Sequence, residues 1–158
     1  MAIQQAEVIP LIQPLGMSDD LRLQWRLLTA NPTSGVNGFD FRKVTQLDRV
    51  QLLAELDSLM CPPDDRECAL ILENVFEILD FELNTIQAEG YLEVLSEIPR
   101  DLLGKARKAI LKKHKWPTPP KPADFYIAVE LEIKRRQTAH ARLQWAIQNE
   151  DYIQSLGE

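Results

Sequence analysis

The sequence predicts an all-α protein, a compact helical bundle with a long C-terminal helix and an extended N-terminal arm. Three observations carry this. Apolar residues recur at the 3.6-residue period in every long segment, no segment sustains the period of two that a strand requires, and prolines, glycines and asparagines punctuate the chain between the periodic stretches. The 158 residues are 45% hydrophobic and 27% charged, which is ordinary globular composition and enough chain to bury a core without disulfides.

Residues 1–16 carry Pro10, Pro14 and Gly16 among isolated aliphatics and read as the arm. Ser18-Asp19-Asp20 then caps a helix to about Ala30, with Leu21, Trp25 and Leu28 on one stripe; Asn31-Pro32 ends it. The run Asn31 to Gly38 is turn chemistry and reads as a hinge between this element and the main body. A second helix is expected over about 40–60, with Val44, Leu47, Leu52, Leu56 and Leu59 on its apolar face, closed by Cys61-Pro62-Pro63. A third opens on Asp64-Asp65 and runs to about 82, with Leu72, Val75, Phe76 and Leu79 inward. A fourth covers about 85–97, closed by Ile98-Pro99. A fifth covers about 100–114 with Leu102, Leu103, Ala106, Ala109 and Ile110 inward. The stretch from Trp116 to Pro122 cannot continue a helix. A last helix starts at Pro122, where proline suits a first turn, and runs to about Gln154. This reading divides the chain into 1–38, a helical core over 39–122, and a C-terminal helix over 123–158.

Catalytic motifs are absent. Cys61 and Cys68 are too few and too far apart for a zinc site, and His114 and His140 stand alone, so no metal or other cofactor is expected. Gly35 and Gly38 lack the Lys-Ser/Thr of a phosphate loop. Glu73, Glu77 and Asp80 lie a helical turn apart and read as a solvated face. The expectation is a protein that is not an enzyme. With no apolar run of about 18 residues and no basic, apolar leader, it is expected to be cytoplasmic and free of membrane.

Charge is the informative feature. The net charge is −6, yet the signs are segregated: acids dominate from Glu55 to Glu97, whereas Arg100, Lys105, Arg107, Lys108, Lys112, Lys113, Lys115 and Lys121 follow with Asp101 as the one acid among them. Either the basic helix packs against the acidic ones, or the surface is bipolar and docks on a charged partner. Trp116 is expected at least half-buried where the fifth and last helices meet, with an exposed interface anchor as the alternative. Leu143, Trp145 and Ile147, followed by Tyr152, Ile153 and Leu156, continue past what a short bundle needs. They are expected to meet a partner or a second copy, unless the arm's Val8, Ile9, Leu11 and Ile12 fold back over them.

The segment YLEVLSEIPRDLLGKARKAILKKHKWPTPPKPADF, residues 91–125, couples an aromatic-led helix, a proline step, an Ala-x-x-Ala-Ile helix and a basic-aromatic-Pro-Thr-Pro turn. It is the second half of a segment, about residues 64–125, that resembles small phage and prophage replication proteins of the helicase loader-and-inhibitor family. The matching positions are Tyr91, Leu95, Pro99, Leu102, Ala106, Trp116, Pro117, Thr118 and Phe125. The resemblance implies a small helical adaptor that binds a hexameric replicative helicase. Two alternatives stand beside it: an inhibitor of a host defence complex of the anti-CRISPR kind, and a DNA-binding module using the basic helix 100–115. The partner-binding residues expected from charge and exposure are Arg100, Lys105, Arg107, Lys108, Lys112, Lys113, Lys115, Trp116, Leu143, Trp145 and Ile147.

Overall fold

A computed structural model describes residues 17–31, 34–44, 47–115 and 117–156. Among the described residues the regular structure is helical and there is no strand. The helices are α1 (Asp19–Thr29), α2 (Arg49–Leu59), α3 (Asp65–Ile78), α4 (Thr85–Leu95), α5 (Leu103–Lys113), α6 (Pro122–Ile127), α7 (Glu130–Gln148) and α8 (Glu150–Leu156), with short 3₁₀ turns at Phe41–Val44 and Arg100–Leu102. No helix among them is long and apolar enough to cross a membrane. The contacts do not follow the three consecutive segments that patterning suggested. Residues 61–131 form one unit; residues 17–60 and 132–156 form another. The arm and Trp116 lie outside the described residues.

Helix starts follow the expected chemistry. Ser18 Oγ accepts from Leu21 N–H, Asp48 from Gln51, Asp64 from Glu67 and Asn84 from Gln87, each satisfying a donor that the first turn leaves open. Helix ends are where the sequence reading runs long. The third helix stops at Ile78 because Asp80 takes a left-handed conformation, φ 60°; its N–H donates to the Glu77 carbonyl and that of Phe81 to Phe76. This is a Schellman closure, and the Phe81 ring packs edge-on against Phe76, centroids 6.4 Å apart. The expected helix over 40–60 is a 3₁₀ turn that buries Phe41 and Val44, then α2 begun afresh at its Asp48 cap. The expected last helix is interrupted at Ala128-Val129 and again at Asn149.

In the unit of residues 61–131, α3 and α6 each pack against both α4 and α5. Ile71, Leu72 and Val75 of α3, Leu95 of α4, Leu103 and Ala106 of α5 and Phe125 of α6 are essentially sealed. Tyr91 sits edge-on between Phe76 and Phe125, with centroids 5.2 and 6.1 Å away, and its hydroxyl donates to the Pro120 carbonyl. That bond fixes the proline-rich connection, which has few N–H groups of its own to offer. Burial raises the Tyr91 pKa, with a smaller contribution from the charge of Asp124.

The other unit gathers Leu21 and Leu28 of α1, Phe41 and Val44, Leu52, Leu56 and Leu59 of α2, Ala139, Leu143 and Ala146 of α7, and Ile153 of α8 into one core. The spacing of Ala139, Leu143 and Ala146 places them on one stripe of α7, and the two alanines let neighbouring side chains approach closely. Within this core lies a charge. Arg142 is 1% exposed. Its Nη1 donates to the carbonyls of Leu28 and Ala30, its Nη2 to that of Asn31 and its Nε to that of Gly35, at 2.6–3.1 Å, while its guanidinium lies 4.3 Å over the Phe39 ring. The carbonyls of Leu28 and Ala30 lie at the C-terminus of α1, where the helix dipole favours a cation, and those of Asn31 and Gly35 lie in the turn beyond, Asn31 also accepting from Ser34 N–H and Oγ. Burial lowers the Arg142 pKa from the usual arginine value. The segment expected to be a hinge is therefore tied into the core. Asn31, Gly35 and Gly38 carry its left-handed residues, with φ of 50°, 56° and 78°. Arg136, 4% exposed, repeats the device at α2, donating to the Leu59 carbonyl at 2.8 Å.

Replacing Arg142 with Met keeps most of the bulk and takes a donor from four carbonyls, of which that of Asn31 keeps Ser34. The expected loss is about 3–4 kcal/mol by denaturant titration, with Lys, which retains charge but not the fork, falling between.

Candidate interaction surface

Helix α5 has two faces. At 100° per residue, Leu103, Ala106, Arg107 and Ile110 share one stripe, and all four are buried. Lys105, Lys108 and Lys112 fall on the opposite stripe, and all three are exposed, as are Lys113 and Lys115. Among the described residues none of these five ammonium groups has a carboxylate partner. The acids of the same unit lie on α3, α4 and their connections; Glu89 and Glu93 on α4 are exposed and belong to a different helix from the one that carries the lysines. Among the described residues an ion pair between Arg100 and Glu67 joins the basic segment to the acidic one, and the five exposed lysines stand outside it.

Two of the expected basic contacts have structural duties instead. Arg107 is 8% exposed and donates from Nε to Asn74 Oδ1 at 2.5 Å; Asn74 is itself 6% exposed, and burial lowers the Arg107 pKa. Its place on the Leu103–Ile110 stripe was the sequence signal that it points inward. Arg100 reaches Glu67 Oε2 at 2.8 Å, and its backbone N–H donates to the Cys61 carbonyl at 2.9 Å, closing the 61–100 segment on itself. Arg100 is half-exposed and remains at the edge of the lysine face.

The apolar positions divide as well. Leu143 is wholly buried in its own unit's core, so it is not a partner contact. The reason is that α1, α2 and the Phe41–Val44 turn cover α7, which the sequence reading had left uncovered. Trp145 is half-buried, with its ring 4.2 Å from Phe41 and edge-on to Tyr152 at 6.0 Å. Ile147 is half-buried beside Leu47 and Val50. Tyr152, at 55% exposure, is the residue of this stretch that reaches solvent most. Trp116 lies outside the described residues.

Periodicity did not disclose one feature. Ala109 and Lys113 lie on the flank of α5 between its buried stripe and its lysine row. With Ile110, Lys115, Ile127 and Ala128 they line an open cleft of about 440 Å³ against α6. Ile127, the last residue of α6, is 62% exposed at its rim.

Among the described residues no three His, Cys, Asp or Glu side chains are grouped to hold a metal. Cys61 is exposed; Cys68 is buried, and desolvation, aided by the neighbouring Asp65, Glu67 and Asp64, pushes its thiol up to about 11. His140 Nε2 lies 2.7 Å from Asp57 Oδ1 in a partly exposed pair. No protein-family model, curated protein or solved structure matches the chain.

The division of labour on α5 is measurable. Arg107→Ala strands Asn74 and is expected to cost about 1–3 kcal/mol, whereas Lys105→Ala, Lys108→Ala and Lys112→Ala each stay within about 0.5 kcal/mol in the same denaturant titration.

Proposed function

We propose that the protein is a non-catalytic adaptor that docks through the lysine face of α5 on an acidic surface of a larger assembly. The observation that carries the reading is the row Lys105, Lys108 and Lys112, with Lys113 and Lys115 beside it, turned away from the core and without a carboxylate partner among the described residues. A net charge of −6 makes a local cation row a means of selection: the acidic remainder of the surface repels polyanions while the row attracts one patch. The resemblance of about residues 64–125 to helicase loaders and inhibitors is the ground for the partner named here: a hexameric replicative helicase, loaded or held inactive. The same residues that carry the resemblance, Tyr91, Leu95, Pro99, Leu102, Ala106 and Phe125, hold α4, α5 and α6 together and so support the lysine face. In this reading the work is done by binding, and no group of the chain reacts.

The test is biolayer interferometry of the full chain against a purified bacterial hexameric helicase, with unwinding followed in parallel. Binding that falls at least about tenfold in K105E/K108E/K112E, and that weakens as salt is raised, is expected. Absence of helicase binding, or binding indifferent to the triple substitution, overturns the reading; retention of the chain on duplex DNA in place of helicase makes the face a phosphate-binding one.

A further inference from the structure

We infer that the cleft between the C-terminal half of α5 and α6 is the specificity pocket of the docking surface, and that it takes a single bulky apolar side chain from an acidic segment of a partner protein. The inference rests on the reading of α5 as a docking face and adds the chemistry of what docks.

The floor of the cleft is aliphatic. Ala109 and Ala128 withhold bulk from opposite walls, Ile110 closes the bottom at 7% exposure, and Ile127 stands at the rim. Isoleucine at 62% exposure beside a concavity is surface that an apolar anchor would remove from water, worth roughly 25 cal/mol per Å² covered. The rim is cationic: Lys113 and Lys115 border the cleft itself, and the row of Lys105, Lys108 and Lys112 runs along the adjoining stripe of the same helix. The two remaining polar groups of the lining are already engaged. His114 Nε2 donates to the Thr118 carbonyl, with its ring edge-on to Phe81, and the Asp124 carboxylate accepts from Lys121 N–H at 2.8 Å at the start of α6. What is left is apolar area bordered by two lysines and by one carboxylate that is already held by a backbone N–H.

That combination selects among partners. A nucleic-acid strand would use the lysines but has no use for an aliphatic floor. A neutral apolar peptide would use the floor and leave five ammonium groups uncompensated. A peptide with one Leu, Ile, Met or Phe between Asp and Glu residues uses both. The cleft of about 440 Å³ is of the size that accepts one large side chain with its neighbouring backbone.

The experiment uses the full chain and fluorescein-labelled nonapeptides, EEDELEDEE and its Phe, Met and Ile versions at the central position. The controls are the central Ser version, a KKRKLKRKK peptide and a fifteen-residue oligothymidylate. Fluorescence polarisation at low salt measures affinity, and amide chemical shifts of the unsubstituted chain locate the site. The expected result is that at least one acidic apolar peptide binds about tenfold more tightly than its Ser version. Its shifts should centre on residues 109–115 and 124–128, and Ile127→Ser and Lys113→Glu should each weaken it severalfold with unchanged melting temperature. Equal binding of the Ser version, tighter binding of the oligothymidylate, shifts centred elsewhere, or no binding by any acidic peptide overturns the inference. Helicase binding separates the two proposals. If the helicase binds and Ile127→Ser has no effect, the pocket fails and the adaptor reading stands. If the peptide binds as expected and the helicase does not, the pocket stands and the helicase falls.

Discussion

Arg142 is the side chain on which the unit of residues 17–60 and 132–156 depends. A buried cation is ordinarily costly unless its charge and every donor are met. Here the compensation comes from backbone. The carbonyls at the end of α1 have no helical partners of their own, and the turn that follows, with left-handed Asn31, Gly35 and Gly38, aims further carbonyls inward. One guanidinium satisfies them together, and Arg136 satisfies the end of α2 in the same way. Two helices are thus held by their C-termini to one neighbour, α7. With the ends of α1 and α2 fixed, Leu21, Leu28, Leu52, Leu56 and Leu59 have no freedom but to close on Ala139, Leu143 and Ala146.

Periodicity and capping residues made most of the helices legible. Ser18 and Asp64 cap helices where they were expected to, and Asn84 and Asp48 cap two more, Asp48 inside the stretch expected as one helix over 40–60. What the sequence did not disclose is long-range. The termination of α3 depends on Asp80 adopting a left-handed conformation, which aspartate tolerates but does not announce, and on Phe81 finding Phe76. The burial of Leu143 depends on a partner more than eighty positions earlier in the chain, so local pattern left it looking uncovered. The role of Arg142 was not legible because its partners are carbonyls, which leave no mark in a sequence.

The candidate site divides along the same line. That a basic helix follows an acidic segment was plain from residue order. Whether the charges would pair was not, because pairing depends on which helices are neighbours. Arg107 shows the difference within one helix: it shares its charge with Lys105 and Lys108 but its stripe with Leu103 and Ile110, and the stripe decides that it packs on Asn74. The lysines are left with solvent. A row of like charges on one helix is mutually repulsive, and such a row is readily satisfied by an external anionic surface. In the proposed reading, the apolar cleft beside it restricts which anionic surface that is.

The central claim is that the α5 lysines are free in the isolated chain and are occupied when the chain works. Quantitative acetylation of the full chain with limiting acetic anhydride, read residue by residue by mass spectrometry with and without the helicase, tests it directly. The account predicts that Lys105, Lys108, Lys112, Lys113 and Lys115 react alike and fast in the isolated chain and are protected together in the complex. Protection of these lysines in the isolated chain, or equal reactivity with and without a bound partner, would contradict it.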